Sequence, residues 1–563
     1  MRVLLVKPNN LSDHIQPSLG LGYLAQQIRR HHDVDIFDCI RDGTTPEQLG
    51  KIVEATRPDV VGVQCYTFDI PNTKEILRIV KGINPEITTV VGGAHMSSDA
   101  YHAMTDFGAD LDFGFGGEGE LAFPVFLGVL EKRSRAFADV PGLVWRDGER
   151  TETNPQMLVE DLDGLGFPAL DLIRPDTYPE SQHGAFYEQF PISPIITTRG
   201  CPYSCTFCSA PIISGKKLRH HSVDYVRDLI LVLYHRYGIR EFHIVDDNFT
   251  MDIEYAKSVM RMIIALDLGI SLAMPNGIRM DWLDDELLEL MKAAGVYVVS
   301  IAVESGNDRI LKAMKKSTTV AKIRENVARI RRHDLDIAAF FIVGFPGETR
   351  ETIRDTVNLS LELDLLRANY FTYLPLPGTT SHARLVADGE IEKVDWDHFL
   401  FMSAAYVPKG MTRKELMNLK RIAFLRFHLR PRILIRILLA VRSWRHFKFL
   451  TRRFYHWVLM TPNPALGQIK DQRSWWSRLK ARFADLFAEE AVPTMPPSLD
   501  RAAAPAMANI ASLVPQPAVP VPGSANAVHP AAVRPLTRSL DRLGDDPIDD
   551  VVPINLPLPV LET

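Results

Sequence analysis

Short apolar runs alternate with helical stretches along two long segments of the chain, and this alternation restricts the fold more than any other feature of the sequence. In residues 1–135 the apolar runs are uninterrupted, which indicates strands buried on both faces, as in a parallel sheet. The strand candidates are Val3–Val6, Val34–Phe37, Val60–Val63 and Thr89–Val91, and the helix candidates are Leu19–Ile28 and Pro46–Ala55. The pattern predicts a doubly wound α/β domain whose ligands bind at the carboxyl ends of the strands.

The alternation resumes at Pro194 and continues to about residue 380. The six strands predicted there are Ile195–Thr198, Glu241–Val245, Ser271–Met274, Tyr297–Val303, Ala338–Val343 and Tyr370–Leu374. Such a series makes most of a β/α barrel but falls short of the closed eight-stranded form. Between the two arrays, residues 136–190 are irregular and punctuated by proline. They predict a linker that packs on its neighbours, with a hairpin at Leu143–Thr153.

Charge and cysteine content narrow the class of protein. The net charge of −5 gives no overall basis for a nucleic-acid partner, and we expect none. Met1–Pro8 has two basic residues around a very short apolar run, so it predicts a first strand rather than a signal peptide. No uninterrupted apolar stretch reaches the roughly 18 residues of a spanning helix. Three of the five cysteines lie close together, which is a poor disulfide framework but a good metal site in a reducing cytoplasm.

The three clustered cysteines are Cys201, Cys205 and Cys208, in the segment TRGCPYSCTFC that directly follows a predicted strand. Thiolates are the usual ligands of iron–sulfur clusters, and three of them on one loop can hold three irons of a four-iron cluster. The fourth iron then has no local cysteine, and an open coordination position is what a catalytic metal requires. Gly200 and Pro202 suit a tight loop that brings backbone close to the cluster.

A structural zinc site is the alternative for these cysteines. Zinc sites favour paired C-x2-C spacing with a second pair of cysteines or two histidines downstream. Cys39 and Cys65 both lie in the first domain and do not supply that pair. The spacing therefore favours the cluster over zinc.

The C-x3-C-x2-C spacing, with Phe207 before the last cysteine and the loop after the first strand of a βα array, resembles the radical S-adenosylmethionine superfamily. The resemblance covers about residues 1–400. It implies a 4Fe-4S cluster whose unique iron binds the amino and carboxylate groups of S-adenosylmethionine. One electron then cleaves the sulfonium to a 5′-deoxyadenosyl radical, which abstracts a hydrogen atom. An external donor of the flavodoxin or ferredoxin type is expected to supply that electron.

Further motifs follow in the order that the superfamily has them. After the second strand, Asp246-Asp247-Asn248-Phe249-Thr250 stands where many members carry Gly-Gly-Glu, and this version is similar to the branch with the anaerobic magnesium-protoporphyrin IX monomethyl ester cyclases. Asp246 or Asp247 would accept from the methionine ammonium; the alternative is that one of them caps the next helix.

Three later segments complete the expected cofactor contacts. Arg279 would pair with the methionine carboxylate, because its planar fork suits that geometry, and Glu304 would bind ribose hydroxyls. Phe341–Thr349 is similar to the superfamily's fifth-strand segment against adenine, where Gly344 and Gly347 fit a close approach of backbone to a flat ring. Glu348 equally suits the start of the next helix. Leu374–Thr379 closes the series.

The first domain resembles the cobalamin-binding, Rossmann-like domain that precedes many radical enzymes. The resemblance rests on the segment from Val91 to His95, with Gly92 and Gly93, and on Gly116–Glu120; these glycines would let backbone approach the corrin or its nucleotide tail. The motif Asp-x-His-x-x-Gly, which supplies a lower histidine ligand, is absent, because Asp13 and His14 are adjacent. Cobalamin would therefore lack a protein histidine ligand. We interpret His95 as a loop histidine with local hydrogen bonds.

Beyond the barrel, residues 401–489 are predicted to be helical and basic, including Leu419–Arg442. Two interpretations stay open: a helix resting on an anionic membrane, near a lipid-like substrate, or an amphipathic cap on the barrel, which we favour. Pro431 would break or kink a continuous helix. Residues 490–563 are rich in proline and alanine and predict a disordered tail. The predicted segments are thus 1–135, 136–190, 191–400, 401–489 and 490–563.

Three functions are compatible with these features. The favoured one is cobalamin-dependent methyl transfer to an unactivated carbon of a small-molecule or lipid-like substrate. The second is a cobalamin-dependent radical cyclisation or rearrangement without methyl transfer. The third, from another class, is a non-catalytic binding protein stabilised by zinc.

Overall fold

A computed structural model describes residues 1–9, 15–180, 187–391, 396, 399–441 and 443–459. The first sheet contains β1 (Arg2–Lys7), β2 (Asp33–Asp38), β3 (Val60–Gln64), β4 (Thr88–Gly92), β5 (Phe113–Phe115), β6 (Leu143–Asp147) and β7 (Arg150–Thr153). Its helices are α1 (Leu19–Ile28), α2 (Pro46–Thr56), α3 (Ile70–Ile83), α4 (Ala94–Ser98), α5 (Ala100–Phe107) and α6 (Ala122–Glu131).

The first sheet has the order β2-β1-β3-β4-β5-β6-β7. Strands β1 to β5 are parallel, as the uninterrupted apolar runs predicted, and buried side chains fill both faces. The strand order reverses between β1 and β3, and doubly wound sheets bind ligands at the carboxyl ends beside that reversal. The doubly wound prediction is confirmed.

The hairpin at Leu143–Thr153 forms as predicted, but it is part of the first sheet rather than of a linker. Its first strand pairs antiparallel with β5, with Phe113 opposite Trp145. The pairing covers the backbone groups that the short strand β5 would otherwise leave at an open sheet edge. The first sheet therefore extends past residue 135, to Thr153.

The second array begins after α7 (Leu170–Ile173). Its strands are β8 (Ile192–Ile195), β9 (Thr198–Arg199), β10 (Arg219–His220), β11 (Glu241–Ile244), β12 (Ser271–Ile278), β13 (Val296–Glu304), β14 (Asp336–Val343) and β15 (Arg367–Thr372). Its helices are α8 (Ala210–Ile213), α9 (Val223–Arg236), α10 (Ile253–Leu266), α11 (Asp285–Ala293), α12 (Asp308–Ala313), α13 (Val320–Arg332), α14 (Arg350–Glu362) and α15 (Thr380–Ala387).

Six of these strands form one parallel sheet in the order β15-β14-β13-β12-β11-β8, which is the predicted open barrel. The first strand is shifted from its predicted bounds, since it ends at Ile195. Thr197 and Thr198 leave the sheet because their backbone and hydroxyl groups bind the Asp246 carboxylate instead. Side-chain N-caps begin the covering helices, as at Ser222, Asp252 and Thr349.

The chain after the barrel forms α16 (Arg413–His428), α17 (Pro431–Leu439) and α18 (Trp444–Leu459). The predicted break is confirmed, because one helix ends at His428 and the next starts at Pro431. Helix α16 packs along the edge strand β15 and on α14, with Phe427 fully buried, so the cap interpretation holds for this helix. Within the described ranges no helix is long and apolar enough to cross a membrane. The predicted tail, 490–563, and the end of the basic region lie outside these ranges.

Replacing Phe427 with alanine is expected to lower the free energy of unfolding of the full chain by about 3–5 kcal/mol, because the change removes a buried ring from the barrel core. Leu439→Ala is the matched control on the next helix: the Leu439 side chain is 75% exposed, so its loss is expected to change stability by less than about 0.5 kcal/mol. Denaturant unfolding monitored by circular dichroism measures both. Equal effects would show that α16 is not part of the cooperative core.

Candidate active site between the two sheets

A cavity of about 580 Å³ lies between the first sheet and the barrel. On one side it is lined by the carboxyl ends of β1, β3, β4 and β5, at Lys7, Gln64, Gly92 and Phe115. On the other side it is lined by Cys208, Asp246, Asp247 and Asn276, which follow or end barrel strands. The ends of both parallel sheets thus open into the same space, where α/β folds bind their ligands.

The cysteine loop is held by backbone hydrogen bonds to neighbouring loops. Cys201 N donates to Gly215 O at 3.0 Å, and Thr206 N donates to Met314 O at 3.0 Å. Gly200 has φ +100°, and a Cβ there would lie 2.2 Å from Lys217 O. Only glycine fits this turn, so the sequence interpretation of Gly200 as a close-approach residue is supported.

The three thiols are close enough to affect one another's ionisation. All are free, and burial together with the nearby Cys205, Asp247 and Cys201 raises the pKa of Cys208 to about 12. Each thiolate disfavours the ionisation of its neighbours. A bound cationic cluster would offset that repulsion.

The two aspartates after β11 have different environments. Asp246 is buried and accepts hydrogen bonds from Thr197 N at 2.7 Å and from the Thr197 and Thr198 hydroxyls at 2.5 and 2.9 Å. Burial raises the pKa of Asp246 to about 6, and these bonds oppose the shift. Asp246 therefore joins β11 to the start of the cysteine loop. Asp247 lines the cavity. Desolvation by the surrounding residues raises the pKa of Asp247, and hydrogen bonds from the Ser214 side chain and the Gly200 backbone oppose that rise.

Two amides beside these aspartates were not predicted as site residues. Asn276 lines the cavity, and its Nδ2 donates to Val245 O at 2.6 Å. Asn248 is 1% exposed, and neither polar atom of its amide has a partner within the described structure. A buried amide without partners is costly, which points to a missing polar group at this position. Asn248 follows β11 and Asn276 lies near the end of β12, and the sequence offers no signal that separates these two asparagines from the rest.

Arg279 has the free donors that a carboxylate ligand requires. Its guanidinium stacks over the Tyr203 ring at 3.7 Å, and Nη2 donates to Lys316 O at 2.7 Å and to Asp281 Oδ2 at 3.0 Å. Nε and Nη1 are buried, and within the described structure no partner accepts from them. Because Tyr203 lies on the cysteine loop, the guanidinium is near that loop. Burial raises the pKa of Cys201, and the positive charge of Arg279 opposes that rise.

Glu304 lies at the end of β13 in a strained backbone conformation, with φ +63°. Its carboxylate accepts from Lys316 Nζ at 2.8 Å, and both side chains are nearly buried. A non-glycine residue at positive φ is strained, so the surrounding contacts hold the Glu304 backbone in this conformation. The lysine partner was not predicted, because the chain returns to the strand end only after the short helix α12.

The Gly344–Glu348 turn is organised differently from the expectation. Gly344 has φ +84°, and a Cβ there would lie 2.7 Å from Leu416 Cδ2 of α16. Leu416, rather than open space, therefore faces the Cα of Gly344, whereas a Cβ at Gly347 would meet only Arg309 Nη1 at 3.9 Å. Glu348 does not begin the helix. Its Oε2 accepts from Gly344 N at 2.6 Å and Phe345 N at 3.0 Å, and burial raises its pKa to about 8.

The first-domain glycines line the cavity as predicted, but His95 does not behave as predicted. Gly93 has φ +102°, and a Cβ there would lie 3.1 Å from Cys65 O. His95 is fully buried in α4 between Phe107 and Trp396, and neither ring nitrogen has a partner in the described ranges. Burial lowers the pKa of His95 to about 4. The local hydrogen bonds expected for it are therefore wrong, and Asp13 and His14 lie outside the described residues.

A buried ion network joins Gly116–Glu120 to the barrel. Glu118 accepts from Arg219 at 2.7 and 2.9 Å, and Arg199 Nη1 lies 2.9 Å from Glu120 Oε1. All four side chains are at most 10% exposed. Val159 N of the connecting segment also donates to Glu118, at 2.6 Å. Although burial opposes the charge of Arg199, Glu120 and Glu118 raise its pKa, so this guanidinium keeps its charge in the buried position.

Comparisons with known protein families agree with this geometry. The family model described as the radical SAM superfamily matches residues 195–360, and that of the B12 binding domain matches residues 11–127. The two matches fall on the two sheets that face the cavity. The chain thus carries a cobalamin-binding domain followed by a radical S-adenosylmethionine domain.

Curated relatives of this radical enzyme cover most of its length. An uncharacterised methyltransferase of Pyrococcus horikoshii is 29% identical over 80% of this chain and 97% of the relative. The cytidylyl-2-hydroxyethylphosphonate methyltransferase of Streptomyces wedmorensis is 28% identical, over 69% and 83% respectively. The anaerobic magnesium-protoporphyrin IX monomethyl ester cyclase of Rubrivivax gelatinosus is 26% identical, over 74% and 76%.

Two solved structures share the fold. The cobalamin-dependent radical enzyme OxsB has a TM-score of 0.62 at 17% identity, over 82% of this chain and 71% of the other. The methyltransferase TsrM of Kitasatospora setae, solved with cobalamin and a [4Fe-4S] cluster, has a TM-score of 0.57 at 20% identity, over 69% and 75%. The two domains of this radical enzyme imply S-adenosylmethionine, a 4Fe-4S cluster and cobalamin as its cofactors.

Glu118→Gln is expected to lower the free energy of unfolding by about 3–5 kcal/mol, because it leaves two buried guanidinium groups with less compensating charge. The matched control is Glu160→Gln, which removes a carboxylate from the exposed pair with Lys217 and should leave stability unchanged. Thermal and denaturant unfolding of the full chain measure both variants. A Glu118→Gln variant as stable as the control would contradict the role of the network in joining the sheets.

Proposed function

We propose that this enzyme transfers a methyl group to an unactivated carbon of a small-molecule substrate. The observation that carries the proposal is the shared cavity. Gly92 and Gly93 of the cobalamin-binding domain and Cys208 of the cysteine loop line the same space. Two relatives with methyltransferase names support the same activity.

When bound, the cluster with S-adenosylmethionine supplies a hydrogen-abstracting radical, and cobalamin supplies the methyl group. We propose that Cys201, Cys205 and Cys208 hold the cluster. The unused donors of Arg279 bind the methionine carboxylate, and Asp247 accepts from the methionine ammonium. Asp246 acts as a positioning residue, because both of its oxygens already accept from Thr197 and Thr198.

The remaining predicted residues are proposed to bind the nucleoside and the corrin. Glu304, fixed by Lys316, accepts from ribose hydroxyls, and the open side of Gly347 faces the adenine. Gly344 shapes the turn beside the adenine, because its N–H donates to the Glu348 carboxylate. Gly92 and Gly93 give a backbone surface at the end of β4 for cobalamin. The surrounding protein excludes water from the radical, which is the usual contribution of a cofactor enzyme's chain.

A radical cyclisation or rearrangement without methyl transfer is the second candidate. It is favoured by the segment Asp246–Thr250, which is similar to the cyclase branch, and by the cyclase relative. The two candidates differ in their products, because only methyl transfer converts a second S-adenosylmethionine to S-adenosylhomocysteine. For either reaction we propose a flavodoxin- or ferredoxin-type protein as the electron donor.

The decisive experiment is anaerobic reconstitution of the full chain with iron and sulfide, followed by incubation with S-adenosylmethionine and a reductant. The wild-type enzyme is expected to form 5′-deoxyadenosine, and S-adenosylhomocysteine when cobalamin and substrate are present. Cys201→Ala, Cys205→Ala and Cys208→Ala are each expected to lose the cluster spectrum and all turnover. Cys39→Ala, a buried cysteine of the first domain, is the control that retains both. Turnover in any cysteine-loop variant would defeat the assignment.

Arg279→Gln tests the S-adenosylmethionine site separately from the cluster. The variant loses a charged fork but no iron ligand, so iron content should equal that of the wild type. Affinity for S-adenosylmethionine is expected to fall by at least about tenfold, since a buried charged hydrogen bond is lost. Equilibrium binding and anaerobic iron analysis measure the two quantities. Unchanged affinity would remove Arg279 from the proposed site.

A further inference from the structure

The helices that follow the barrel expose an unusual number of large apolar side chains. On α17 they include Ile435 (56% exposed), Leu438 (58%) and Leu439 (75%), and on α18 they include Trp444 (68%). Among the described side chains of these two helices, the exposed large apolar residues are Leu434, Ile435, Leu438, Leu439, Trp444, Phe447 and Phe454. Ile422 of α16 and Leu429 just after it are also exposed. Isolated exposed apolar residues are ordinary, but a concentration of them in one part of the chain marks an interaction site.

Their spacing gives each helix an apolar outer face. On α17, Leu434, Ile435, Leu438 and Leu439 repeat at the helical period, while Ile433 on the other side is buried against the core. On α18, Trp444 and Phe447 lie one turn apart and their rings stack at 5.2 Å, whereas the Phe454 ring packs against Phe424 of α16 at 5.6 Å. The contacts with β15 come from α16, so the exposed side chains of α17 and the Trp444–Phe447 pair are left outside that packing.

The charge of this region is opposite to that of the whole chain. Residues 416–459 contain eleven Lys and Arg and no Asp or Glu, although the chain has a net charge of −5. Part of the positive charge is offset, since Arg432 and Arg436 pair with Asp364 of the barrel. Arg426 on α16 and Lys448 on α18 are exposed, and Lys448 Nζ lies 5.6 Å from the centre of the Trp444 ring. A surface that is both apolar and basic suits an apolar layer with an anionic boundary.

We propose that the outer faces of α17 and α18 dock on a bilayer that contains anionic lipid. Aliphatic side chains insert into the acyl boundary, Trp444 lies at the headgroup level, and the basic residues meet lipid phosphates. A nucleic acid would be attracted by the positive charge, but its bases stack on aromatic and guanidinium groups. The exposed Leu and Ile side chains of α17 would then have no role in binding. The proposal is independent of methyl transfer, since no residue of the cavity takes part.

The test is co-sedimentation of the full-length, reconstituted enzyme with phosphatidylcholine vesicles, with and without phosphatidylglycerol. Wild-type protein is expected to bind the anionic vesicles and to be released at high salt, where screening weakens the headgroup contacts. The double variant Leu438→Ser/Leu439→Ser should bind at least tenfold more weakly, and because both side chains are exposed it should fold normally. Val386→Ser, an exposed valine on α15, is the matched control and should bind as the wild type does.

Several results would overturn the proposal. They are no sedimentation of the wild type, equal binding to neutral vesicles, or equal binding of the double variant. A fall in oligomeric mass of the double variant without lipid, measured by light scattering, would assign the faces to contacts between copies. Loss of binding to a single-stranded RNA oligonucleotide in the double variant, with vesicle binding unchanged, would assign them to nucleic acid.

Discussion

The contact between Gly116–Glu120 and the barrel is the interaction on which the rest of the structure depends. Glu118 and Glu120 come from the first domain, and their partners Arg199 and Arg219 flank the cysteine loop. Ion pairs that are removed from water are weak sources of net stability but require one geometry. The four side chains therefore set the position of the cysteine loop relative to the carboxyl ends of the first sheet. The cavity between them exists because that position is fixed.

The sequence predicted the fold well because buried parallel strands leave a strong local pattern. The order of the βα units, the hairpin at Leu143–Thr153 and the break at Pro431 all follow from apolar periodicity or from proline chemistry. The errors arose where a contact distant in sequence decides the outcome. The first barrel strand ends early because Thr197 and Thr198 bind Asp246, and the hairpin joins the first sheet because β5 has an open edge.

In the candidate site, too, features that are local in sequence were predicted and tertiary contacts were not. The cysteine triplet could be interpreted from spacing alone, because ligands on one loop are local in sequence. The ion network and the contact of Leu416 with Gly344 could not, since each joins segments far apart in the chain. The Glu304–Lys316 pair could not either, because it depends on how the chain turns back after the short helix α12. His95 was misinterpreted for a related reason: a loop position in sequence became a buried helical position once Phe107 and Trp396 enclosed it.

Leu416 also links the helical region to the cofactor side of the barrel. Helix α16 lies along β15, the last strand of an open sheet, and reaches the turn after β14. A fragment cut at the apparent end of the barrel would uncover an edge strand, and such strands recruit other chains. The practical boundary of the catalytic unit for expression or crystallisation therefore lies beyond His428, although every recognisable catalytic motif ends some fifty residues earlier.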